Sequence, residues 1–414
     1  MPSRRVCIPL LRRSVLVMCL LSGLASFGQA AEPAFFMSIG DLPGGGVNTY
    51  VYALSHDGST AVGRSISTPP VGFDQPYEAF RWTQSEGIVG LGDLNGGAVN
   101  SAAIAVSADG AVIVGDTDSG PFIWTAVTGM QPMLEPGGQP SDIRPRAISS
   151  DGTQVFGFRH SGGNMAARWT AATGVEELGA LPNDIGAPDS FIVDVSADGT
   201  VGTGNSFALD GVHPIRWTPS GGLVGLGDVP GGVFYALGEG VSPDGLMIVG
   251  NARTTAPGGV DEAFIWTQSG GFIRPDPLHD QTTGSGAYAA SSGGFLVVGY
   301  SVPLGGAFLW DSANGMRSIP TLLTEKFGLD LTGWTLHNAR DISADGTVIV
   351  GAGRDPDGEN VAWIARLPRH GLDLVPATST WGLVALGLML TVVATLLLPS
   401  RHRSGGVVRI DNRV

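Results

Sequence analysis

Cysteine is nearly absent from this chain: of 414 residues only Cys7 and Cys19 are cysteines, both within the first 20 positions. If that leader is removed, the remaining body has no thiol and can form no disulfide. Its stability must come from core burial, which a domain of about 340 residues can supply. Charge is also scarce, at 14% of residues, whereas glycine reaches 64. There is no Gly-X-Y period, and aromatic and β-branched residues are frequent, so collagen and simple disorder are excluded. Short apolar runs broken by glycine read as an all-β protein rich in tight turns.

Motifs that carry chemistry are missing as well. The sequence has no Gly-x-Ser-x-Gly, no phosphate-binding loop and no His-Glu-x-x-His. His56, His160, His213, His279, His337, His370 and His402 have no metal-ligand spacing. No catalytic residue, cofactor site or metal site is assigned. The formal charge is −14. Leaving out the four arginines of residues 1–31, and the four arginines and one aspartate after residue 400, leaves 15 basic against 36 acidic residues, a net of −21. Such a body repels phosphate backbones, which argues against nucleic acid as a partner.

Both ends read as addresses. Arg4, Arg5, Arg12 and Arg13 precede an apolar run from Val15 to Leu24, and small residues follow around Ala30 and Ala31. This is the pattern of a secretory signal peptide over residues 1–31. A lipoprotein reading through Cys19 fails because Met18 occupies a position that wants a small residue. Residues 381–398, from Trp381 to Leu398, contain no charge. At about 1.5 Å per residue they span roughly 27 Å as a helix, enough for a bilayer core. Arg401 and Arg403 follow, placing residues 399–414 as a basic tail on the cytoplasmic side. The expectation is an exported protein of the cell envelope or cell surface, with a single-pass membrane anchor and its body on the extracytoplasmic side. The stretch Val375-Pro376-Ala377-Thr378-Ser379-Thr380-Trp381-Gly382, in a linker over residues 371–380, resembles the motif of PEP-CTERM-like sorting signals of the IPTL type. That resemblance implies an exosortase-like processing enzyme as a partner, with release or re-anchoring after cleavage.

Between the ends, one unit recurs. Ser55-His56-Asp57-Gly58, Ser107-Ala108-Asp109-Gly110, Ser149-Ser150-Asp151-Gly152, Ser196-Ala197-Asp198-Gly199, Ser242-Pro243-Asp244-Gly245 and Ser343-Ala344-Asp345-Gly346 share a phrase, with Ser291-Ser292-Gly293-Gly294 as a degenerate copy. Third positions are 52, 42, 47, 46, 49 and 52 residues apart, the length of a four-stranded propeller blade. A second phrase follows each, as in Ala79-Phe80-Arg81-Trp82 and Ala263-Phe264-Ile265-Trp266. In the seventh copy, Ala362-Trp363-Ile364-Ala365, the tryptophan stands at the phenylalanine position, two residues away and so on the same strand face. Strands nearly apolar on both faces suit blades sandwiched between neighbours. The seventh unit has three strands, while Phe36–Pro43 matches a fourth-strand phrase and precedes any first strand. The expected fold is therefore an all-β, seven-bladed β-propeller over residues 32–370, closed by residues 36–43 pairing with the last blade.

The succession Ala-Phe-x-Trp, Gly-Asp-Leu-x-Gly-Gly, Ser-Ala-Asp-Gly, Val-Ile-Val-Gly from Ala79 to Gly115 resembles the HAF-repeat family of bacterial extracellular proteins. So does Gly328-Leu329-Asp330-Leu331-Thr332-Gly333-Trp334-Thr335-Leu336, and the likeness covers residues 35–367. It implies export and an envelope setting, and it assigns no activity and no catalytic residues.

The turn aspartates invite calcium, yet each turn offers one carboxylate where a calcium site needs about six to eight oxygens, and Asp-Gly is good hairpin chemistry in its own right. The repeated tryptophans read as inter-blade packing. Trp334 lies in an insertion from Arg317 to Leu336, with a helix expected over Thr321–Phe327 capped by Ser318, and reads either as a cover for the last blade or as part of a ligand surface. The longest loops, Arg64 to Glu78 and Asn251 to Glu262, are the places to look for a site. Three roles stand open: a binding or scaffold module for extracellular protein or polysaccharide, which the rigid repeat favours; a polysaccharide hydrolase or lyase at the channel mouth; and a purely structural matrix protein.

Overall fold

The computed structural model describes residues 33–68, 76–94, 99–160, 162–182, 189–254, 259–275 and 284–368. The signal peptide, linker, apolar segment and basic tail read from the sequence lie outside these residues, as do the middles of both long loops. Among the described residues no helix is long and apolar enough to cross a membrane.

The fold is all-β and of propeller type, its antiparallel sheets following one another along the chain. Strands Thr49–Leu54, Thr60–Ile66, Tyr77–Thr83 and Gly87–Gly92 form the first sheet, and the next two begin with Ser101–Val106 and Ile143–Ile148. An eight-stranded sheet follows. It divides into two quartets, starting at Ser190–Val195 and Gly232–Val241, that touch through a single parallel bridge between Val212 and Tyr235. Another quartet starts at Ser285–Ala290. In the last sheet Thr335–Ile342, Val348–Arg354 and Asn360–Arg366 carry the N-terminal strand Phe35–Ser38 on their free edge. Phe36 pairs with Ala365 there, and Ser38 with Trp363.

Local chemistry explains the hairpins. In six turns the aspartate accepts from the serine hydroxyl two residues before it, at 2.6–2.8 Å, and from the backbone N–H two residues after it, at 2.9–3.1 Å. The serine hydroxyl also accepts from the N–H five residues on, at 2.9–3.1 Å, in all seven turns. Each carboxylate is thus occupied inside its own turn. These bonds, led by the Ala111 N–H, hold the Asp109 carboxyl below its usual range. In the degenerate copy, Gly293 donates instead to Asp244 of the preceding turn at 2.7 Å.

The turn tips are bonded to one another. Ala108 donates to Ser150, Ser150 to Ala197 and Ala197 to Pro243, at 2.8–3.1 Å, while Asp57 donates to Ala108 at 3.1 Å. Pro243 has no N–H and breaks the series once. Beyond it Ser292 donates to Ala344, and Ala344 to the carbonyl of His56, each at 2.9 Å, so the last tip is bonded to the first.

Apolar faces pack between successive sheets. One cluster joins Ile39 and Leu42 of the N-terminal segment to Val51, Phe80 and Trp82 of the first sheet and to Val348, Val350 and Ile364 of the last. Others join successive sheets, as Phe156 and Ala166 meet Ile192 and Trp217. Trp363 is fully buried and sits opposite Gly351, just as Phe80 sits opposite Gly63. It fills the phenylalanine position, with its Nε1 donating to the Ala352 carbonyl at 3.0 Å. Trp334 packs edge-on against Phe36, centroids 4.9 Å apart, so it covers the N-terminal strand. The helix of the insertion begins two residues earlier than expected, at Ile319–Thr321, and widens into a π-turn over Leu322–Lys326. Pro320 in the first turn is the reason: its fixed φ favours helix initiation there, and the Ser318 hydroxyl accepts from the Thr321 N–H.

Candidate ligand channel

The first strand of every quartet carries a β-bulge at the same place, three residues before the turn serine. Register slips past Tyr52, Ile104, Arg146, Val193, Glu239, Tyr288 and Arg340. A bulge leaves one residue outside the ladder and re-aims its side chain. All seven line one cavity of about 560 Å³ bounded by the first strands. The strand facing each bulge is pressed close. A Cβ on Gly63 would lie 1.9 Å from the Tyr50 carbonyl oxygen, and one on Gly250 the same distance from that of Leu237, so glycine alone fits at these positions.

Below the bulges the wall is apolar, formed by Leu54, Val106, Ile148, Val195, Val241, Ala290 and Ile342. His56 and Pro243 border the cavity among the turn tips. The His56 ring reaches past the second unit to Ser150, with Nδ1 and Oγ 2.9 Å apart, and burial pushes its pKa down.

Two carboxylates in the wall act as staples. Asp194 accepts from the N–H of Val195 and, across to the next quartet, of Val241, each at 2.8 Å. Asp341 accepts from Ile342 and, across from last sheet to first, from Leu54, each at 2.7 Å. Protein surrounds both groups although the residues keep some contact with the cavity. Burial pushes Asp194 up to about 6 and Asp341 up to about 7, against the lowering effect of these bonds. Burial likewise raises Glu239 and takes Tyr288 up to about 12, with Arg340 opposing in both cases.

The remaining charged groups are uncommitted. Among the described residues neither Arg146, Arg340 nor Glu239 has a hydrogen bond or ion pair. Arg340 lies over the Tyr288 ring, 4.9 Å from its centre, and Arg146 over Phe158 at 5.6 Å. Asp116, the acid that acts on Arg146, is bound to Arg144 at 2.6 and 2.8 Å. Arg146 is open to channel solvent yet ringed by protein, and that desolvation lowers its pKa. Arg64, at the start of the first long loop, also borders the cavity and lies 4.2 Å from the Tyr77 ring centre. Asn205 accepts from the Gly238 N–H at 2.8 Å and borders the cavity as well.

No family model matches the chain, and no curated protein sequence matches it. Among solved structures it is similar to the β-propeller domain of Cps50 (Swd1) from Myceliophteria thermophila, at 9% identity and a TM-score of 0.49, covering 81% of this chain and 100% of that one. It is also similar to oligogalacturonate lyase from Vibrio parahaemolyticus, at 11% identity and a TM-score of 0.48, covering 82% and 98%. TolB from Acinetobacter baumannii matches at 11% identity and a TM-score of 0.41 over 76% of this chain, which spans 65% of TolB's length. At TM-scores below 0.5 these likenesses say nothing about ligand or activity.

The described histidines are not brought together: His56 sits at the turn tips, His213 bonds Asp210 at 2.8 Å, and His160 stacks edge-on with Phe158, while His279, His370 and His402 lie outside the described residues. Among the described residues no group of three His, Cys, Asp or Glu side chains could hold a metal ion. The turn aspartates and repeated tryptophans do not enter the cavity. Sequence reasoning missed the bulge residues, although a signal was present. Tyr52, Arg146, Glu239, Tyr288 and Arg340 stand at one fixed distance from the turn serine in five of the seven units.

Proposed function

We propose that this chain is an exported, envelope-associated β-propeller of seven blades, similar to HAF-repeat proteins, latched by its N-terminal strand. Its role is to bind an extracellular component in the central channel, and a C-terminal segment holds it at the membrane or marks it for sorting. The carrying observation is the channel itself, whose wall presents Arg146, Arg340 and Glu239 with no hydrogen bond or ion pair among the described residues. Charged groups that line a protein-walled cavity with their hydrogen-bonding capacity unused are a place where a ligand can complete the bonding. Binding is favoured over glycoside hydrolysis because Asp194 and Asp341 are committed to backbone N–H groups. Among the described residues that leaves Glu239 as the single free carboxylate of the channel wall, where acid–base cleavage of a glycoside ordinarily uses two.

The test is a binding screen of the full chain in detergent micelles against glycans and envelope extract, with product release followed in the same wells. Retention of an envelope component, lost on Arg146→Gln, supports the reading. Product release without stable binding overturns it in favour of an enzyme.

A further inference from the structure

We infer that the channel takes an acidic sugar, a short uronate chain, with its carboxylates on Arg146 and Arg340, its rings against Tyr52 and Tyr288, and its hydroxyls on Glu239. The inference rests on the channel being the binding site proposed above and adds the class of ligand.

Three features of the wall narrow the choice. First, the guanidiniums come from the third and seventh quartets and both line the cavity, in a chain whose net charge is −14. A cationic pair lodged inside an acidic protein favours an anion there and repels cations such as calcium. Guanidinium also suits the planar, two-oxygen face of a carboxylate. A neutral sugar would leave both cations without partners, which is the arrangement that discriminates most strongly against a ligand lacking the matching group.

Second, a bare inorganic anion does not use the rest of the wall. Glu239 is an acceptor for sugar hydroxyls, a role that a bare inorganic anion leaves largely unused. Tyr52 and Tyr288 line the cavity as aromatic groups with hydroxyl ends, amphipathic surfaces suited to a ring that is apolar on one side and polar at its edge. Third, the volume of about 560 Å³ lies within the range of about 300–1,000 Å³ common for small-molecule sites and is far larger than one phosphate needs.

The experiment is isothermal titration of the full chain in detergent micelles with digalacturonate, with the neutral disaccharide of galactose, and with inorganic phosphate, all at pH 7. Digalacturonate is expected to bind at least tenfold more tightly than either comparison ligand. Arg146→Gln and Arg340→Gln should each weaken it by about tenfold or more, the scale of one charge-assisted hydrogen bond. Arg216→Gln, outside the channel, should leave it unchanged. Circular dichroism confirms that each variant is folded. Should Arg340→Gln not fold, Arg146→Gln carries the test, since its side chain lies over Phe158 and has no hydrogen bond or ion pair among the described residues. Equal binding of the neutral disaccharide, tighter binding of phosphate, or indifference to the channel substitutions overturns the inference. If digalacturonate fails while an envelope component is still retained, the ligand class falls and the binding role stands. If nothing is retained, both fall.

Discussion

Two rings of residues circle the same channel three positions apart, and they behave in opposite ways. The turn ring is serine in all seven units, and every copy makes the same bond to the N–H five residues on. The bulge ring is Tyr52, Ile104, Arg146, Val193, Glu239, Tyr288 and Arg340, alike in backbone and different in side chain. Within a repeat, a position that recurs unchanged is held by the hairpin it closes. A position whose backbone recurs while its side chain varies is free to be used for something else. Here that position faces a cavity.

The sharpest contrast comes from the glycine opposite a bulge. Gly250→Ala places a Cβ 1.9 Å from the Leu237 carbonyl oxygen and 2.8 Å from the Phe264 ring. It should cost about 3 kcal/mol or more, because neither strand can move without the neighbouring sheet. Denaturant unfolding checks this, and a cost below about 0.5 kcal/mol would mean that the bulges are soft.

Ser196→Ala, in the turn ring, removes a buried hydroxyl that donates to Asp198 and accepts from Val201. A loss of about 1–2 kcal/mol is expected, and the same loss should follow at Ser107 if the turns are equivalent. Trp334→Ala removes the edge-on contact with Phe36 and should cost about 1 kcal/mol. Its effect should appear as faster amide exchange over Phe35–Ser38, with the inner strands unaffected.

The two staples predict a pH effect of definite sign. Asp341 is raised to about 7 in the folded chain, so between its unfolded value near 4 and pH 7 the folded state binds more protons than the unfolded one. Its contribution to stability is present in full below about pH 4 and is lost as pH rises towards 7. The thermal midpoint of the native chain, measured relative to Asp341→Asn, should therefore fall across this interval. A difference that grows instead would show that the carboxyl is not desolvated. Smallest of all, Val193→Ala in the bulge ring should change stability by less than about 0.5 kcal/mol. A large loss there would erase the distinction between the rings.

Much of the fold was legible because its rules are local. Asp-Gly turns, period-two alternation and the Phe-x-Trp strand each depend on residues a few positions apart. The unpaired fourth-strand phrase at Phe36 pointed to its place on the last sheet by the same logic. The channel was less legible. Five of the seven Ser−3 positions carry Tyr, Arg or Glu, but a one-residue slip turns a side chain from one face of a strand to the other, and nothing in a single strand announces the slip. Asp194 and Asp341 replace the alanine that four other units carry at that place. What they hold is the backbone N–H of a neighbouring unit 47 residues on for Asp194 and 287 residues back for Asp341. Trp334 stood outside the repeat, and only its distance to Phe36 chose between its two readings.

Sequence alone was enough for the strands, the turns and the order of the units, since each is set by backbone preference and by burial of a face that every copy shares. Which side chains meet in the middle was decided by tertiary structure. Seven separated strands converge there, and the charges that remain without partners are identified only once every neighbouring N–H, carbonyl and carboxylate has been placed.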